Sequence, residues 1–248
     1  MPAIEPGLTT GVARAGDAVL DASAAAGLRL ENLTVQGRVQ SRPQDILAAV
    51  DHERGAPILA IDVEQTREAI EALPWVKSAQ VERKLPQTVH VVIQEKTAFA
   101  LWQRGQRYTL VDAEGNAIVD VTGQYGDLPL IVGAGAPRAA SRLMDSIAGR
   151  PNLAGRLRGA VYVGERRWNV LFDSLETAAA VRLPEGDIAP ALDRLAALER
   201  DHKILLRDLE FIDLRVPGQL IIRVRKPDGA VAPSPAPPIP DAGPKQDA

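Results

Sequence analysis

The chain has 248 residues, a formal net charge of −3 and 46% hydrophobic residues, so it can form a packed core and is long enough for two domains. The slightly acidic balance argues against a nucleic-acid-binding protein, which would present a basic surface. The absence of cysteine excludes disulfides, thiol nucleophiles and cysteine-ligated metals. No apolar run reaches 18 residues and charges interrupt the first 30, so we expect any export signal or membrane anchor to lie outside this chain.

The two ends of the chain differ in composition from its middle. Residues 1–27 are rich in alanine and glycine and can bury little surface, so they are predicted to form a linker or a frayed helix. Residues 228–248 contain the run Pro-Ser-Pro-Ala-Pro-Pro-Ile-Pro. Such a density of proline predicts a disordered, extended tail.

Residues 28–96 alternate between strand and helix patterns. A strand at 28–37 is followed by Ser41-Arg42-Pro43-Gln44, a capping-box pattern that predicts Ser41 as the cap of a first helix. Asp62 is the predicted cap of a second helix, and two strands of alternating polarity follow within 79–94. The predicted order is β-α-α-β-β, with two helices on a three-stranded sheet.

Residues 97–227 are predicted to form a β-rich domain with two helices, which makes the whole chain an α+β protein. One helix is expected from about Pro137 to Ala148 and another after Asp187. A hairpin turn is expected at 112–116. The strand-like runs lie at residues 99–103, 108–112, 116–120, 128–132, 159–165, 168–172, 177–183, 209–215 and 220–225.

Several runs of this sequence resemble the FtsQ/DivIB family of bacterial cell-division proteins. They are VQG at the end of the first strand, GAPILAIDVE, LPWVKSAQVERKLPQTVHVVIQEK, FALW, YTLVDAEG, LPLIVG and FIDLRVPGQLIIR. The resemblance covers roughly residues 28–226. It implies a POTRA (polypeptide-transport-associated) domain at 28–96 and the family's β domain at 97–227, with residues 1–27 as a juxtamembrane linker. The family's cytoplasmic tail and transmembrane helix have no counterpart in this sequence.

The resemblance also implies a function without catalysis. The chain would be the periplasmic part of a single-pass inner-membrane protein at the division septum. It would be a scaffold for FtsB/DivIC- and FtsL-type partners, with other division proteins binding through the POTRA domain. Neither a nucleic acid nor a small-molecule substrate is expected as a partner.

The residues themselves indicate no catalytic, cofactor or metal site. His52, His90 and His202 do not follow a metal-ligand spacing, and no G-x-S-x-G nucleophile motif is present. The run VGAGAPR at 132–138 has Arg138 where a dinucleotide-binding loop needs its third glycine. We therefore expect an ordinary turn and helix entry there.

The last strand is the candidate binding site. A final strand is often an edge strand, whose unpaired backbone groups can recruit a partner segment, and the alternative is a strand that only completes the fold. Arg167 and Trp168 form a second candidate because arginine and tryptophan are enriched at interface hot spots. The alternative, a tryptophan buried in the β domain beside solvated arginines, is favoured for Trp168 itself and stays open for Arg167. The predicted partner-binding residues are Arg215, Leu220, Ile221, Ile222, Arg223, Val224, Arg167 and Trp168.

Three alternatives remain open at this level. Arg83 and Lys84 at the hairpin tip are either solvated residues that protect the hairpin or a contact for anionic lipid headgroups. The chain could be an envelope transport or outer-membrane assembly factor, for which several β-α-α-β-β repeats would be expected. It could also be an envelope hydrolase, for which two carboxylates would have to meet in a cleft.

Overall fold

The computed structural model describes residues 16, 18–122, 125 and 127–225. Most of the predicted linker and all of the predicted proline-rich tail at 228–248 lie outside these residues, although 18–25 form a helix, α1. The chain folds as two compact units, and the boundary between them falls between Lys96 and Thr97. The predicted linker and tail boundaries, at residues 27 and 227, stay predictions.

The N-terminal unit has the predicted β-α-α-β-β order after α1. The elements are β1 (Asn32–Gln36), α2 (Pro43–Val50), α3 (Val63–Glu71), β2 (Val76–Lys84) and β3 (Thr88–Glu95). A short 3-10 turn at Ile58–Ala60 separates the two helices. The central strand is β3, which is parallel to β1 and antiparallel to β2, so the sheet order is β1-β3-β2.

The core of this unit follows from the alternation of β3. Val89, Val91 and Ile93 are buried on one face of the sheet and belong to the same core cluster as Ile46 of α2 and Ile70 of α3. The two helices therefore cover one face only, which the alternation predicted. Burial of this apolar face is the main stabilising contribution to the unit.

The two predicted helix caps have different outcomes. Asp62 caps α3, because its side chain accepts the backbone N–H groups of Glu64 and Gln65. The prediction for Ser41 was wrong, since the N-cap residue of α2 is Arg42. Ser41 instead donates its backbone N–H to the carboxylate of Glu95, at 2.8 Å. This contact joins residues far apart in the sequence, so local spacing could not reveal it.

The C-terminal unit contains one large mixed sheet with two helices. In the described residues the strand order is β12-β11-β10-β9-β8-β7-β4-β5-β6. The helices are α4 (Ala136–Ala148) and α5 (Ala189–His202). The strands are β4 (Ala100–Arg104), β5 (Arg107–Val111), β6 (Ala117–Val121), β7 (Leu130–Val132), β8 (Leu157–Val163), β9 (Arg167–Phe172), β10 (Ala180–Glu185), β11 (Leu209–Asp213) and β12 (Ile221–Val224).

All nine predicted strand runs and both predicted helices of this unit are present, and the α+β prediction is confirmed. Leu143 of α4 and Leu192 of α5 belong to one core cluster with Ile131, Val170 and Ile212 of the sheet. The two helices thus cover the sheet face to which these alternate strand residues point. The opposite face carries the candidate site.

Candidate functional site

The last strand, β12, lies at one end of the nine-stranded sheet. It pairs with β11 in antiparallel register, with Ile222 opposite Ile212 and Ile221 opposite Asp213. On its other side β12 faces no strand of the part of the chain that the structure describes. The structure therefore gives β12 the edge position that the sequence left open.

One hydrogen bond, together with the strand register, determines which backbone groups of β12 face outward. The N–H of Arg225 donates to the carbonyl of Asp208, so the alternate residues Arg223 and Ile221 also turn their N–H and C=O groups towards β11. The N–H and C=O groups of Ile222 and Val224 consequently face away from the sheet. These four groups are what the edge offers to another strand.

The side chains of β12 are exposed on both faces of the strand. Ile221 is 50% exposed, Ile222 44% and Val224 63%. Leu220, just before the strand, is half-buried and packs against the core of the unit. An edge strand that combines unpaired backbone groups with exposed β-branched side chains is a typical template for β-augmentation.

A surface pocket of about 340 Å³ lies beside this edge, on the sheet face that the helices leave uncovered. It brings together β9, β10, β11 and the turn before β12. The lining residues are Arg167, Glu185, Asp213, Arg215, Val216, Gln219 and Ile221.

An aspartate and an arginine form the charged wall of the pocket. Asp213 is buried, and Arg215 donates to its two carboxylate oxygens through Nε at 3.0 Å and Nη2 at 2.6 Å. The backbone N–H of Arg215 donates to the same carboxylate, and Arg182 of β10 lies 3.8 Å away. The side-chain hydrogen bond from Arg215 is the largest of the causes that lower the pKa of Asp213. Asp213 is therefore ionised at neutral pH and holds the Arg215 side chain.

Two arginines also enclose the ring of Phe211 on this face. The guanidinium carbon of Arg182 is 4.0 Å from the ring centroid, and that of Arg223 is 5.0 Å from it. Arg223 in turn contacts Glu210 at 3.6 Å. Cation–π contacts of this kind hold long side chains in place, so Arg182 of β10 and Arg223 of β12 form a cationic surface at this edge.

Arg167 and Trp168 lie on opposite faces of β9. Arg167 is half-buried and lines the pocket. Trp168 is 5% exposed and stacks against Tyr162 at a centroid distance of 4.5 Å on the helix-covered side. Trp168 therefore lies in the core, which is the alternative that the sequence favoured for it, because strand alternation turns its side chain away from the pocket. Partner binding by Arg167 stays a prediction.

The sequence prediction included Arg215 but missed three residues that organise the pocket with it, Asp213, Arg182 and Glu185. Asp213 and Arg215 are two positions apart in an extended segment, so alternation alone could have indicated that they share a face. Arg182 and Glu185 had no such signal. They reach the site because β10 pairs in parallel with β11 across α5, and this pairing has no local signature.

The pocket brings the carboxylates of Glu185 and Asp213 together with the guanidinium groups of Arg167 and Arg215. The hydrogen bond from Arg215 lowers the pKa of Asp213, so this carboxyl is a poor general acid. Within residues 18–122 and 127–225, no group of three or more histidine, aspartate or glutamate side chains is arranged to hold a metal ion. The same residues contain no helix that could cross a membrane.

Comparisons with known proteins point to one family across both units. A family model described as "POTRA domain, FtsQ-type" matches residues 28–96, and one described as "Cell division protein FtsQ/DivIB, C-terminal" matches residues 100–215. Among solved structures, the major extracytoplasmic domain of the cell division protein DivIB from Geobacillus stearothermophilus has a TM-score of 0.30 at 20% identity. That match covers 44% of this chain and 98% of the DivIB chain.

Curated relatives named "Cell division protein FtsQ" match along most of the chain. The Caulobacter vibrioides (strain NA1000 / CB15N) protein is 36% identical over 203 residues, which are 82% of this chain and 66% of the relative. The Rhizobium meliloti protein is 33% identical, over 81% of this chain and 64% of the relative. The Rickettsia felis protein is 30% identical, over 76% and 70%. The chain thus spans slightly less than two thirds of the length of the first two relatives.

Proposed function

The chain belongs to the FtsQ/DivIB family of bacterial cell division proteins, and from this membership we propose that it is a non-enzymatic scaffold of the division machinery. In this proposal it binds FtsB/DivIC- and FtsL-type partners through its C-terminal unit and so helps to assemble and regulate septal wall synthesis. Its N-terminal POTRA unit provides a second surface for other division proteins. The chain is the periplasmic part of a single-pass inner-membrane protein at the septum.

The observation that carries the proposal is the open edge of β12. Ile222 and Val224 present outward N–H and C=O groups, and the strand is exposed on both faces. A partner segment that adds a strand here extends the sheet by main-chain hydrogen bonds, each with a net contribution of about 0.5–1.5 kcal/mol. Such binding needs no cofactor.

The pocket beside β12 supplies side-chain selectivity in this proposal. Ile221 and Arg223 point to the same face as Asp213 and Phe211, because the antiparallel register places them opposite each other. A docked strand places alternate side chains on that face, next to the pocket. The ordered guanidinium groups of Arg182, Arg215 and Arg223 favour a partner strand with carboxylates at those positions.

The decisive experiment replaces an outward N–H without disturbing the sheet. In Ile222→Pro the lost N–H faces away from β11, so the β11–β12 ladder keeps its hydrogen bonds, which is where a sheet tolerates proline. Ile222→Ala is the matched control, since it removes the side chain and retains the N–H. Calorimetry measures binding of each variant to the periplasmic segments of FtsB/DivIC- and FtsL-type proteins, and circular dichroism checks the fold.

We expect the parent to bind, Ile222→Ala to bind several-fold more weakly, and Ile222→Pro to lose about tenfold or more, because one partner carbonyl is left unpaired. Equal affinity of Ile222→Pro and the parent would place the binding site away from the β12 edge. If the folded parent binds neither partner segment, the scaffold proposal is refuted and the transport-factor hypothesis is open again.

A further inference from the structure

The hairpin between β2 and β3 carries exposed apolar and cationic residues at its tip. Leu85 in the turn is 58% exposed, and Leu59 in the neighbouring 3-10 turn is 39% exposed. Arg83 and Lys84 close β2 between them and are both exposed. We call Leu59, Arg83, Lys84 and Leu85 the tip surface.

A hydrogen bond links two members of the tip surface. Nη1 of Arg83 donates to the carbonyl of Leu59 at 3.3 Å, which places the 3-10 turn beside the end of the hairpin. The strand pairing puts Arg83 opposite Val89 and Lys84 opposite Thr88, so the two cations project to opposite faces of the sheet. The tip surface therefore has a positive charge on each side of Leu85.

The chain enters the N-terminal unit at this same end. The carbonyl of Leu28 accepts the N–H of Ile58 at 3.0 Å, and the N–H of Leu28 donates to the carbonyl of Ser23 in α1 at 2.9 Å. Helix α1 thus arrives next to the 3-10 turn.

Several charges next to the tip surface are paired with one another or with the backbone. Arg29 and Glu31 form an ion pair at 2.9 Å, and Arg54 donates to the backbone carbonyl of Glu31. Glu82 lies on the same sheet face as Lys84 but one step further from the tip. The charge nearest to Leu85 is therefore positive.

We propose that the tip surface rests on an anionic phospholipid bilayer. Leu59 and Leu85 enter the headgroup region, and Arg83 and Lys84 contact lipid phosphates while their aliphatic stems lie along the apolar side chains. Exposed leucines flanked by cations at the end where the chain enters fit a charged membrane surface. This inference rests on the proposed function in one respect only, namely that the proposed location places a membrane next to α1. Contact with the bilayer would fix the orientation of the POTRA unit above it.

Co-sedimentation with vesicles tests this proposal on the chain as it stands. The parent is titrated with vesicles of phosphatidylglycerol and phosphatidylcholine and with vesicles of phosphatidylcholine alone. The test variants are Arg83→Gln/Lys84→Gln and Leu85→Ser. The matched control is Arg104→Gln/Arg107→Gln, which removes the same charge from the tip of the β4–β5 hairpin in the other unit. Thermal unfolding confirms that each variant is folded.

We expect the parent to bind only the anionic vesicles and to lose binding as salt is raised from about 0.1 M to about 0.5 M. Each basic residue near such a surface contributes roughly fivefold to partitioning, so Arg83→Gln/Lys84→Gln should bind roughly 30-fold more weakly. Leu85→Ser should also weaken binding, and the Arg104/Arg107 control should not. An unbound parent, equal binding to neutral vesicles, or equal losses in test and control variants would overturn the proposal. Because none of these variants touches β12, their affinity for the division partners reports separately on the scaffold proposal.

Discussion

Arg156 connects three elements of the C-terminal unit, and its replacement by methionine tests how that unit is held together. Its Nη1 donates to the carboxylate of Glu199 on α5 at 2.9 Å, and Nε and Nη2 donate to the two oxygens of Asp173 after β9 at 2.8 and 2.7 Å. Glu199 is only 3% exposed and also accepts the N–H of Leu205 at 2.8 Å. Arg156 is thus the counter-ion of a buried carboxylate.

The expected loss of stability depends on which carboxylate is left without its counter-ion when Arg156 is replaced. In Arg156→Met the apolar stem remains, but the Glu199 charge is buried with one backbone donor. Breaking a buried ion pair in this way costs about 3–5 kcal/mol. Asp173 is partly exposed, so Asp173→Asn should cost less than about 1 kcal/mol. Most of the loss should therefore come from Glu199.

Urea unfolding followed by tryptophan fluorescence measures these differences, since Trp102 and Trp168 lie in the C-terminal unit. The double variant Arg156→Met/Glu199→Gln removes the uncompensated charge and keeps an acceptor for Leu205. It should be more stable than Arg156→Met alone. A cost below about 1 kcal/mol for Arg156→Met, or a double variant that is no more stable than it, would refute the buried-charge reasoning.

Two further predictions concern the site and the POTRA unit. Arg215 lowers the pKa of Asp213, so the stability that this carboxylate contributes is complete above its unfolded pKa of about 3.9 and is lost as the pH falls through the lower folded value. When the free energy of unfolding is measured as a function of pH, it should fall less steeply below pH ~4 in Asp213→Asn than in the parent. Parallel pH curves for the two proteins would contradict this. Gly37 and Gly55 both have positive φ, but a Cβ on Gly37 would lie 2.0 Å from the carbonyl oxygen of Ile93, whereas one on Gly55 meets no described atom within 4 Å. Gly55→Ala should lower the free energy of unfolding by about 1–2 kcal/mol for the backbone conformation alone. Gly37→Ala should lower it clearly more, which the midpoints of urea unfolding measure. Equal losses in the two variants would mean that the approach to Ile93 is not tight.

The features that the sequence predicted correctly depend on neighbouring residues. Strand alternation located β2 and β3, and the capping role of Asp62 followed from its place before an amphipathic run. Ser41 had the same kind of signal, but the helix begins one residue later, with Arg42 as its N-cap, and the backbone N–H of Ser41 donates to Glu95 of β3. A contact with a residue so distant in the sequence cannot be predicted from local spacing.

In the candidate site, too, some features follow from neighbouring residues and others from residues that are far apart in the sequence. That β12 is a strand could be predicted from residues 220–225 alone, because they include β-branched side chains such as that of Ile222. The burial of Trp168 could be predicted too, because Val170 and Phe172 share its face of β9 and make that face apolar. That Arg167 on the other face lines a pocket depends on the approach of β10, β11 and the turn before β12.

The class of the elements, their order and the resemblance to a division protein family could all be read from the sequence, because strand period, caps and turns are set by interactions within a few residues. The edge position of β12 and the meeting of Arg182 of β10 with Asp213 of β11 emerge only in the assembled sheet. Helix α5 lies between β10 and β11 in the sequence, so the contacts of this parallel strand pair depend on how the sheet is assembled. Edge position is a property of the finished sheet, since a strand is exposed only when no other strand occupies its outer side.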